Sequence, residues 1–534
     1  MDSSDNVVRQ AGMVEYSFIH RNIYDACHAA RRNAHIFQNQ TQRVASIDAA
    51  FNQSRVEYQL IGTLPAIYPE WLGGRLFCDA HRVRFPYVVG EMARGISSVA
   101  MVEAAATNGL FAFFGSAGLS ETVVAGAIEQ LQRKLPNQAT WGMNLIHSPQ
   151  SPSAEMNMAK LFVAKAVNHI STSAFMNLTP ALVYCAVKGI QRAPSGEIIR
   201  PRHCFAKISH PHVAQQFMLP IEKKILDQLL KQGDISAQEH ALGQLIPLAE
   251  DITVEADSGG HTDQRSLPSL FPEIKRISAD LEKKFAYPGR FRLGIAGGLG
   301  TPDAVAGAFA MGAHYVVTGS INQTAVQAGT SEAAKQLLAQ ADMSDTAITV
   351  SADMFEIGAK VQVLKKASLF SNRANQLHQL YKNFASIDEI PQAQRKRIER
   401  EIFQKPITQV YADVEAYFRQ HNTNELEKAQ SNEKHKMALI FRWYLGQSSR
   451  WAIQGEVSRH ADYQLWAGPA LGAFNQWVSS SFLAELNQRD IAQIAFNLLE
   501  GATVITRAQQ LRAMGVPVDA NCFMFKPRRI RANQ

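Results

Sequence analysis

Short apolar runs that alternate with helical patterns are the feature that most limits how this chain can fold. Eight such runs, rich in apolar, β-branched or aromatic residues, lie at 86–92, 110–118, 139–146, 168–174, 203–209, 251–259, 291–298 and 314–320. Strands that alternate with helices form parallel sheets, and eight repeats are the number that closes a (β/α)8 barrel. We therefore predict an α/β fold in which residues 81–345 form a TIM (β/α)8 barrel.

The segments between these runs agree with a barrel. SETVVAGAIEQLQRKL (120–135) places apolar residues at i, i+3 and i+4 after a serine cap. A doubly wound Rossmann sheet is the rival fold, because GGLGTP (297–302) resembles a glycine-rich dinucleotide turn. That turn lacks the GxGxxG spacing and follows the seventh strand, not the first. The connection over 210–250 carries two helical patterns and predicts an extra helix there.

The ends of the chain predict additions to the barrel. Residues 1–80 are a mixed N-terminal flanking segment without a firm assignment. Residues 346–534 predict a mainly helical subdomain, because 386–437 is charge-rich with a helical period. Such a subdomain covers the active site as a lid or docks a partner, and charge runs do not decide between the two.

Composition indicates a folded enzyme. Charged residues make up 19% of the chain and hydrophobic residues 46%. No apolar run approaches the roughly 18 residues of a membrane span, and the N-terminus lacks a secretory pattern. We therefore expect a cytoplasmic protein with no membrane partner. The five cysteines form no CxxC pair, so neither a metal site nor a disulfide framework is expected.

The charge balance is mildly basic. Lys plus Arg number 54 against 47 Asp plus Glu, a net charge of +7, and part of the excess lies in the tail at Lys526, Arg528, Arg529 and Arg531. A solvated tail is the simple explanation. The sharper hypothesis is attraction to an acidic macromolecule such as a carrier protein. Nucleic acid is not expected, because the basic residues are not interleaved with aromatic ones.

Glycine turns follow the sixth, seventh and eighth predicted strands, in VEADSGGHTD (254–263), GIAGGLGTPDAV (294–305) and TGS (318–320). Glycines just past a strand let backbone N–H groups approach a phosphate, and barrels bind phosphate after strands seven and eight. Simple chain turns are the alternative. We expect a phosphate to be bound by Gly297, Gly298, Gly319 and Ser320.

These motifs resemble the FMN-dependent barrel family that contains nitronate monooxygenases and flavin-type enoyl reductases. The matching segments are MARGISS (92–98), GMNL (142–145), AKIS (206–209), ADSGGHTD (256–263), AGGLGTPDAV (296–305) and TGS (318–320). Along nearly the whole chain, the sequence is most similar to one branch, the separate, trans-acting enoyl reductase subunit of bacterial polyunsaturated fatty acid synthases.

The resemblance implies an FMN cofactor whose phosphate binds the glycine turns. It implies that Asn144 meets the edge of the flavin ring and that Lys207 offers a positive charge to reduced flavin, although an ion-paired lysine is the alternative. The residues that it places beside the ring or in the loop on the flavin side are Ala93, Ser97, Asp257 and Gly259.

The resemblance also implies that His261 is catalytic. In enoyl reduction an acid protonates the α-carbon or polarises the thioester carbonyl, and an imidazole does either near neutral pH. A histidine that only orients the loop, substrate or flavin is the alternative. Asp263 or Arg265 is the expected partner that fixes its tautomer.

The implied function is FMN-dependent reduction of trans-2-enoyl thioesters on acyl carrier protein domains during polyunsaturated fatty acid synthesis. NADPH or NADH would bind transiently as the hydride donor, since no separate nicotinamide motif is present. The alternatives are a nitronate monooxygenase that oxidises alkyl nitronates with O2, and a non-catalytic scaffold. Asp257 and Ser258, where many nitronate monooxygenases carry Glu-Ala, favour the reductase. The oligomeric state, including a homodimer, stays open.

Overall fold

The centre of the fold is a closed barrel of eight parallel strands. The structure is a computed structural model that describes residues 22–40, 43–47, 59–136, 140–287 and 290–531. In chain order the barrel strands are β1 (Tyr87–Val89), β2 (Phe111–Phe114), β3 (Trp141–Ile146), β4 (His169–Ser173), β5 (His203–Ile208), β6 (Asp251–Glu255), β7 (Arg292–Ala296) and β8 (Tyr315–Thr318). Each strand pairs with its sequence neighbours, and β8 pairs with β1. The predicted TIM barrel is confirmed, although residue 139 of the third predicted run lies outside the described residues.

Helices cover the outside of the barrel, which is why its strands are apolar on both faces. These helices are Val99–Thr107, Glu121–Lys134, Pro152–Ala164, Pro180–Val187, Pro211–Met218, Leu267–Phe285 and Pro302–Ala310, whereas the next helix, Glu332–Ala339, packs in a separate apolar cluster with Leu364 and Ala452. Side-chain caps at Ser98, Ser120, Thr179 and Thr301 start four of them. The predicted extra helix between β5 and β6 is confirmed, and the structure places two there, Lys223–Gln232 and Ala237–Gly243. A small hairpin, Gln191–Arg192 with Ile198–Ile199, precedes β5.

The N-terminal flanking segment packs against the barrel, and Phe77 of its last helix shares an apolar cluster with Phe205 and Tyr315 of the barrel strands. Its described part comprises helix Ile23–His28, an antiparallel sheet of Ala34–Gln38, Arg43–Ile47 and Gln59–Leu64, and helix Arg75–His81. Arg507 from the C-terminal helix is fully buried and donates to backbone carbonyls of this segment, among them those of Ala29 (3.1 Å) and Arg32 (2.8 Å). Much of the prediction for 1–80 lies outside the described residues.

After the barrel, the chain forms a helical subdomain with its own apolar core, which confirms that prediction. We use this name for residues 346–454. It contains the antiparallel strands Thr346–Val350 and Lys360–Leu364, and its helices are Phe370–Asn383, Gln392–Ile398, the π-helical turn Glu399–Phe403, Ile407–His421, Thr423–Ser431 and Glu433–Gln454. The boundaries at 80 and 345 stay predictions.

The last part of the chain returns to the barrel. Helix Ala470–Val478 precedes helix Ile491–Ala513, which is buried on nearly every side and packs on Pro302–Ala310. Gly501 allows this close approach, because a Cβ there would lie 2.6 Å from Pro302 Cγ. The tail is not simply solvated, since Arg528 pairs with Glu500 at 3.3 Å. Single turns of 3-10 helix occur at Pro69–Trp71, Ser320–Thr324, Met343–Asp345, Val457–Asp462, Phe482–Ala484, Leu486–Gln488 and Ala520–Phe523.

Three expectations about composition can be compared with the structure. All five cysteines are buried free thiols. Within the described ranges, no group of three or more His, Cys, Asp or Glu side chains is arranged to hold a metal ion. Across the same ranges, no helix is both long enough and apolar enough to cross a bilayer.

Candidate active site

A cavity of about 1270 Å³ opens at the C-terminal ends of the barrel strands. The loops after the barrel strands form one wall, and the helical subdomain forms the other through residues such as Tyr417, Arg442 and Arg450. Ligand sites are usually about 300–1,000 Å³, so this cavity has room for a cofactor and a second ligand. Residues of the helical subdomain therefore line the cavity together with the barrel loops, and its roles as a lid or as a docking surface for a partner stay predictions.

The loop after β6 is held by the helical subdomain. Gly260–His261 forms a short strand that pairs with Lys360–Leu364, so that Gly260 faces Gln362 and His261 faces Val361. The Gln362 amide donates to Asp257 Oδ1 at 2.8 Å and to the Ser258 carbonyl at 2.9 Å. Asp257, which was predicted to shape this loop, is therefore hydrogen-bonded to a residue of the helical subdomain.

His261 lines the cavity, and its side chain is about one-third exposed. Its Nε2 lies 3.2 Å from Asp353 Oδ1, and Ser351 Oγ donates to the same carboxylate at 2.5 Å. Burial opposes the charge of His261, but the bond to Asp353 outweighs it and raises the pKa of the imidazole. The same bond lowers the pKa of Asp353 although burial alone would raise it. The imidazole is thus biased toward its protonated form.

The predicted partners of His261 were wrong. Asp263 accepts a hydrogen bond from Ser209 at 2.5 Å, and Arg265 lies 3.4 Å from His210. The short strand at Gly260–His261 directs the imidazole toward the helical subdomain, where Asp353 takes the role expected of a sequence neighbour.

The glycine turns after β7 and β8 leave open space beside the cavity. Gly297 and Gly298 have φ values of 87° and 73°, which favour glycine. A Cβ on Gly297 would lie 2.7 Å from the Asp257 carbonyl oxygen. A Cβ on Gly298 or Gly319 would have no other atom within 4 Å. These positions form a cradle in which backbone N–H groups can approach a ligand.

The turn after β6 lies against this cradle. A Cβ on Gly259 would lie 2.6 Å from Ser320 Oγ and 2.9 Å from the backbone of Ala467. Ser320 Oγ in turn accepts a hydrogen bond from the Gly468 amide at 3.2 Å. Ser258 lines the same cavity, and its buried Oγ has no hydrogen-bond partner within the described part of the chain. A phosphate group fits this arrangement, because it would accept from a hydroxyl that is otherwise unsatisfied.

A polar network forms the floor of the cavity. The side-chain amide of Asn144, which is buried, donates to Ser173 Oγ at 3.0 Å, and Ser173 Oγ donates to Glu91 at 2.8 Å. Lys207 Nζ lies between Glu91 (3.2 Å) and Glu255 (3.1 Å). Burial alone would lower the pKa of Lys207, but the two carboxylates raise it. Lys207 is therefore charged, and two carboxylates offset the positive charge that was predicted to favour reduced flavin.

The two positions predicted after β1 differ in their surroundings. Ala93 lines the cavity, as expected. Ser97 is fully buried beneath the loop, where its Oγ donates to the Gly90 carbonyl at 2.8 Å and accepts from the Met92 amide at 2.9 Å. The expectation that Ser97 lines the ring is therefore corrected: its side chain fixes the shape of the loop that carries Ala93.

Three charged residues of this site were missed in the sequence. Glu91 and Glu255 stand at the ends of apolar strands, and an acidic residue at the C-terminal end of a barrel strand is a recognisable signal. Asp353 offered no comparable signal, because it lies ninety-two residues beyond its partner His261.

The fold and the site together define a TIM-barrel enzyme with a covered cavity at the C-terminal ends of its strands. The chain is similar in structure to the enoyl reductase domain of MlnA from the macrolactin biosynthesis cluster of Bacillus amyloliquefaciens. The two are 33% identical with a TM-score of 0.79, over 83% of this chain and 99% of that domain. The chain belongs to the family of this enoyl reductase domain, which confirms the family predicted from the sequence.

Two curated relatives extend the comparison. The polyketide biosynthesis protein PksE of Bacillus subtilis is 40% identical over 451 residues, which are 84% of this chain and 58% of PksE. A polyunsaturated fatty acid synthase subunit of Thraustochytrium sp. is 36% identical over 466 residues, which are 85% of this chain and 31% of that relative. The chain thus spans less than two thirds of either relative. A family model described as the inserted helical domain of acyl-carrier-protein S-malonyltransferase matches residues 384–463.

Proposed function

We propose that this protein is an FMN-dependent enoyl reductase that reduces trans-2-enoyl thioesters on acyl carrier protein domains, with NADPH or NADH as reductant, in polyunsaturated fatty acid synthesis. The observation that carries the proposal is one covered cavity in which open glycine turns and the His261–Asp353 pair meet. Membership of the enoyl reductase family supports the reaction class. The relatives that are named as parts of polyketide and fatty acid synthesis support the setting.

The cofactor assignment follows from the cradle. Gly297, Gly298, Gly319 and Ser320 would hold the FMN phosphate, with the unpartnered Oγ of Ser258 as a further donor. Asn144 would meet the ring edge from the cavity floor. When bound, FMN supplies the two-electron redox chemistry that couples the nicotinamide to the enoyl thioester.

His261 is the general acid in this proposal. Asp353 occupies Nε2, so the proton that passes to the substrate is held at Nδ1. Because the pKa of the imidazole is raised, its acidic form persists closer to neutral pH than that of an ordinary histidine. The network of Asn144, Glu91 and Lys207 keeps the floor rigid and fully hydrogen-bonded beneath the reacting groups.

Anaerobic mixing of the FMN-loaded protein with NADPH and then a crotonyl thioester tests this function. We expect flavin absorbance to bleach with NADPH and to recover with the thioester. His261→Gln should slow recovery by about 10²- to 10⁴-fold while it spares bleaching. The matched control is His210→Gln, which changes a histidine that does not line the cavity. If NADPH leaves the flavin oxidised while alkyl nitronate drives oxygen uptake, the protein is a nitronate monooxygenase and the proposal is wrong.

A further inference from the structure

Two arginines line the cavity without a protein partner. Arg94 lies in the loop after β1, and Arg450 lies on helix Glu433–Gln454 of the helical subdomain. Within the described residues, neither guanidinium group makes an ion pair or a hydrogen bond. Arg442, on the same helix as Arg450, differs because it pairs with Glu356 at 3.1 Å. The unpaired arginines therefore lie on opposite walls of one cavity.

The position of Arg94 is built by two barrel loops. Its backbone adopts a left-handed φ of 58°, and its amide donates to the Ala117 carbonyl at 2.8 Å. The side chain lies on Gly118, where an added Cβ would come within 3.3 Å of Arg94 Cγ. A non-glycine residue in this backbone region is uncommon and indicates a conformation imposed by its surroundings.

The charge around this pair is not balanced by the protein. Burial and the charge of Arg450 both lower the pKa of Arg94. Most acidic residues of the cavity wall are occupied elsewhere: Glu91 and Glu255 by Lys207, Asp353 by His261, Asp257 by Gln362, Glu155 by His147, and Glu425 by Lys428. Glu121 also lines the cavity and, among the described residues, pairs with neither arginine. An anionic ligand would relieve the repulsion.

An aromatic surface adjoins the arginines. Tyr417 is 50% exposed and stacks on His421 with ring centroids 4.3 Å apart and an interplanar angle of 15°. Both rings line the cavity that Arg94 and Arg450 also line. Guanidinium groups beside a flat ring suit a phosphate ester that is attached to an organic body.

We propose that Arg94 and Arg450 form a phosphate-binding subsite at the boundary between the barrel and the helical subdomain. This subsite is distinct from the glycine cradle after β7 and β8, and it takes the phosphate of the second ligand to enter the cavity. The inference rests on the proposed function, in which two ligands carry such a group: the 2′-phosphate of NADPH and the phosphate of a phosphopantetheine arm. The shared chemistry is an organic phosphate ester.

Equilibrium binding to the full-length protein tests the subsite without turnover, so its failure is distinguishable from failure of the reductase assignment. The probes are two matched pairs, NADP⁺ with NAD⁺ and 4′-phosphopantetheine with pantetheine, titrated calorimetrically; the oxidised nicotinamides differ by the same 2′-phosphate but cannot reduce a bound flavin. We expect Arg94→Gln and Arg450→Gln each to weaken the phosphate-bearing member of at least one pair by about 10- to 100-fold. The member without that phosphate should keep its affinity.

The controls separate the subsite from a folding defect. Arg419→Gln removes an exposed arginine of the helical subdomain that does not line the cavity and should leave all affinities unchanged. Arg450→Lys, which keeps the charge, should restore part of the loss. If only the nicotinamide with the 2′-phosphate binds more weakly, that phosphate is the ligand of the subsite. If only 4′-phosphopantetheine binds more weakly, the ligand is the phosphate of the carrier arm. Equal losses for both members of each pair, unchanged affinities in both glutamine variants, or no binding of either phosphate probe to the unaltered protein would overturn the proposal.

Discussion

Replacing Asp251 with asparagine removes one negative charge from the end of the barrel opposite the cavity. Asp251, at the start of β6, is fully buried and accepts from Arg292 Nε and Nη2 at 2.7 Å each and from His81 Nε2 at 2.9 Å. Burial alone would raise the pKa of Asp251, but Arg292 and His81 hold it far below its usual range. The carboxylate therefore stabilises the fold as an anion.

The size of the effect follows from these contacts. Breaking a buried ion pair by removing one partner costs about 3–5 kcal/mol of unfolding free energy. Glu250 still lies 3.2 Å from Arg292, and asparagine keeps one acceptor oxygen, so we expect the lower end, about 3 kcal/mol. Glu255, at the cavity end of β6, lies about 13 Å away along the strand. Turnover should accordingly survive.

Urea unfolding at neutral pH, together with turnover at a temperature where both proteins are folded, measures the two quantities. Asp280→Asn is the matched control, because its ion pair with Arg276 is exposed on both sides and should be worth at most about 1 kcal/mol. The reasoning would be refuted if Asp251→Asn lost less than about 1 kcal/mol of unfolding free energy, or if the kcat of the folded variant fell. Either result would show that the two ends of the barrel do not separate stability from catalysis.

Three further outcomes are expected. Gly259→Ala should lower the unfolding free energy by about 1–3 kcal/mol and reduce FMN retention on gel filtration, because the added Cβ would meet Ser320 and Ala467. Gly307→Ala is the control and should change neither quantity, because a Cβ there has open space. Asp353→Asn removes the negative charge that helps to raise the pKa of His261, so the pH profile of stopped-flow enoyl reduction should lose its acidic form at lower pH, and an unmoved profile would contradict the role. Burial lowers the pKa of His203 to about 4. Because the unfolded chain then binds the extra proton first, the contribution of His203 to the unfolding free energy should be constant above about pH 6.5 and fall toward pH 4 by on the order of 3 kcal/mol, as the difference in urea midpoints between the unaltered protein and His203→Phe at several pH values would show.

The barrel could be predicted because its determinants are local. Each strand is a short apolar run, the following helices have their own period and four of them a side-chain cap, and a parallel sheet covered on both faces leaves little choice of topology. The glycines after β7 and β8 could be found for the same reason, since their backbone conformations are set within a few residues. Orientation was harder to predict, as Ser97 shows: its hydroxyl satisfies two backbone groups of its own loop instead of facing the cavity.

Contacts between distant segments could not be read from the pattern. The pairing of His261 with Asp353 depends on a strand from the helical subdomain that meets the loop after β6. The neighbourhood of Arg94 and Arg450 depends on how that subdomain lies over the barrel. Neither arrangement leaves a spacing or a period in the sequence, because each is decided by tertiary packing.

His261 lies in the loop after barrel strand β6, but its strand pairing and its side-chain hydrogen bond are made with the helical subdomain. Gly260–His261 pairs with Lys360–Leu364, and Asp353 from the same hairpin region sets the charge of the imidazole. The floor of the site, by contrast, is built from barrel residues alone, with Lys207 between Glu91 and Glu255. The proposed flavin cradle and the proposed acid are thus positioned by different units, so the reaction requires both. A barrel cut at residue 345 would keep the glycine turns and the floor residues but lose Asp353, the partner that raises the pKa of His261, together with Gly468, which donates to Ser320.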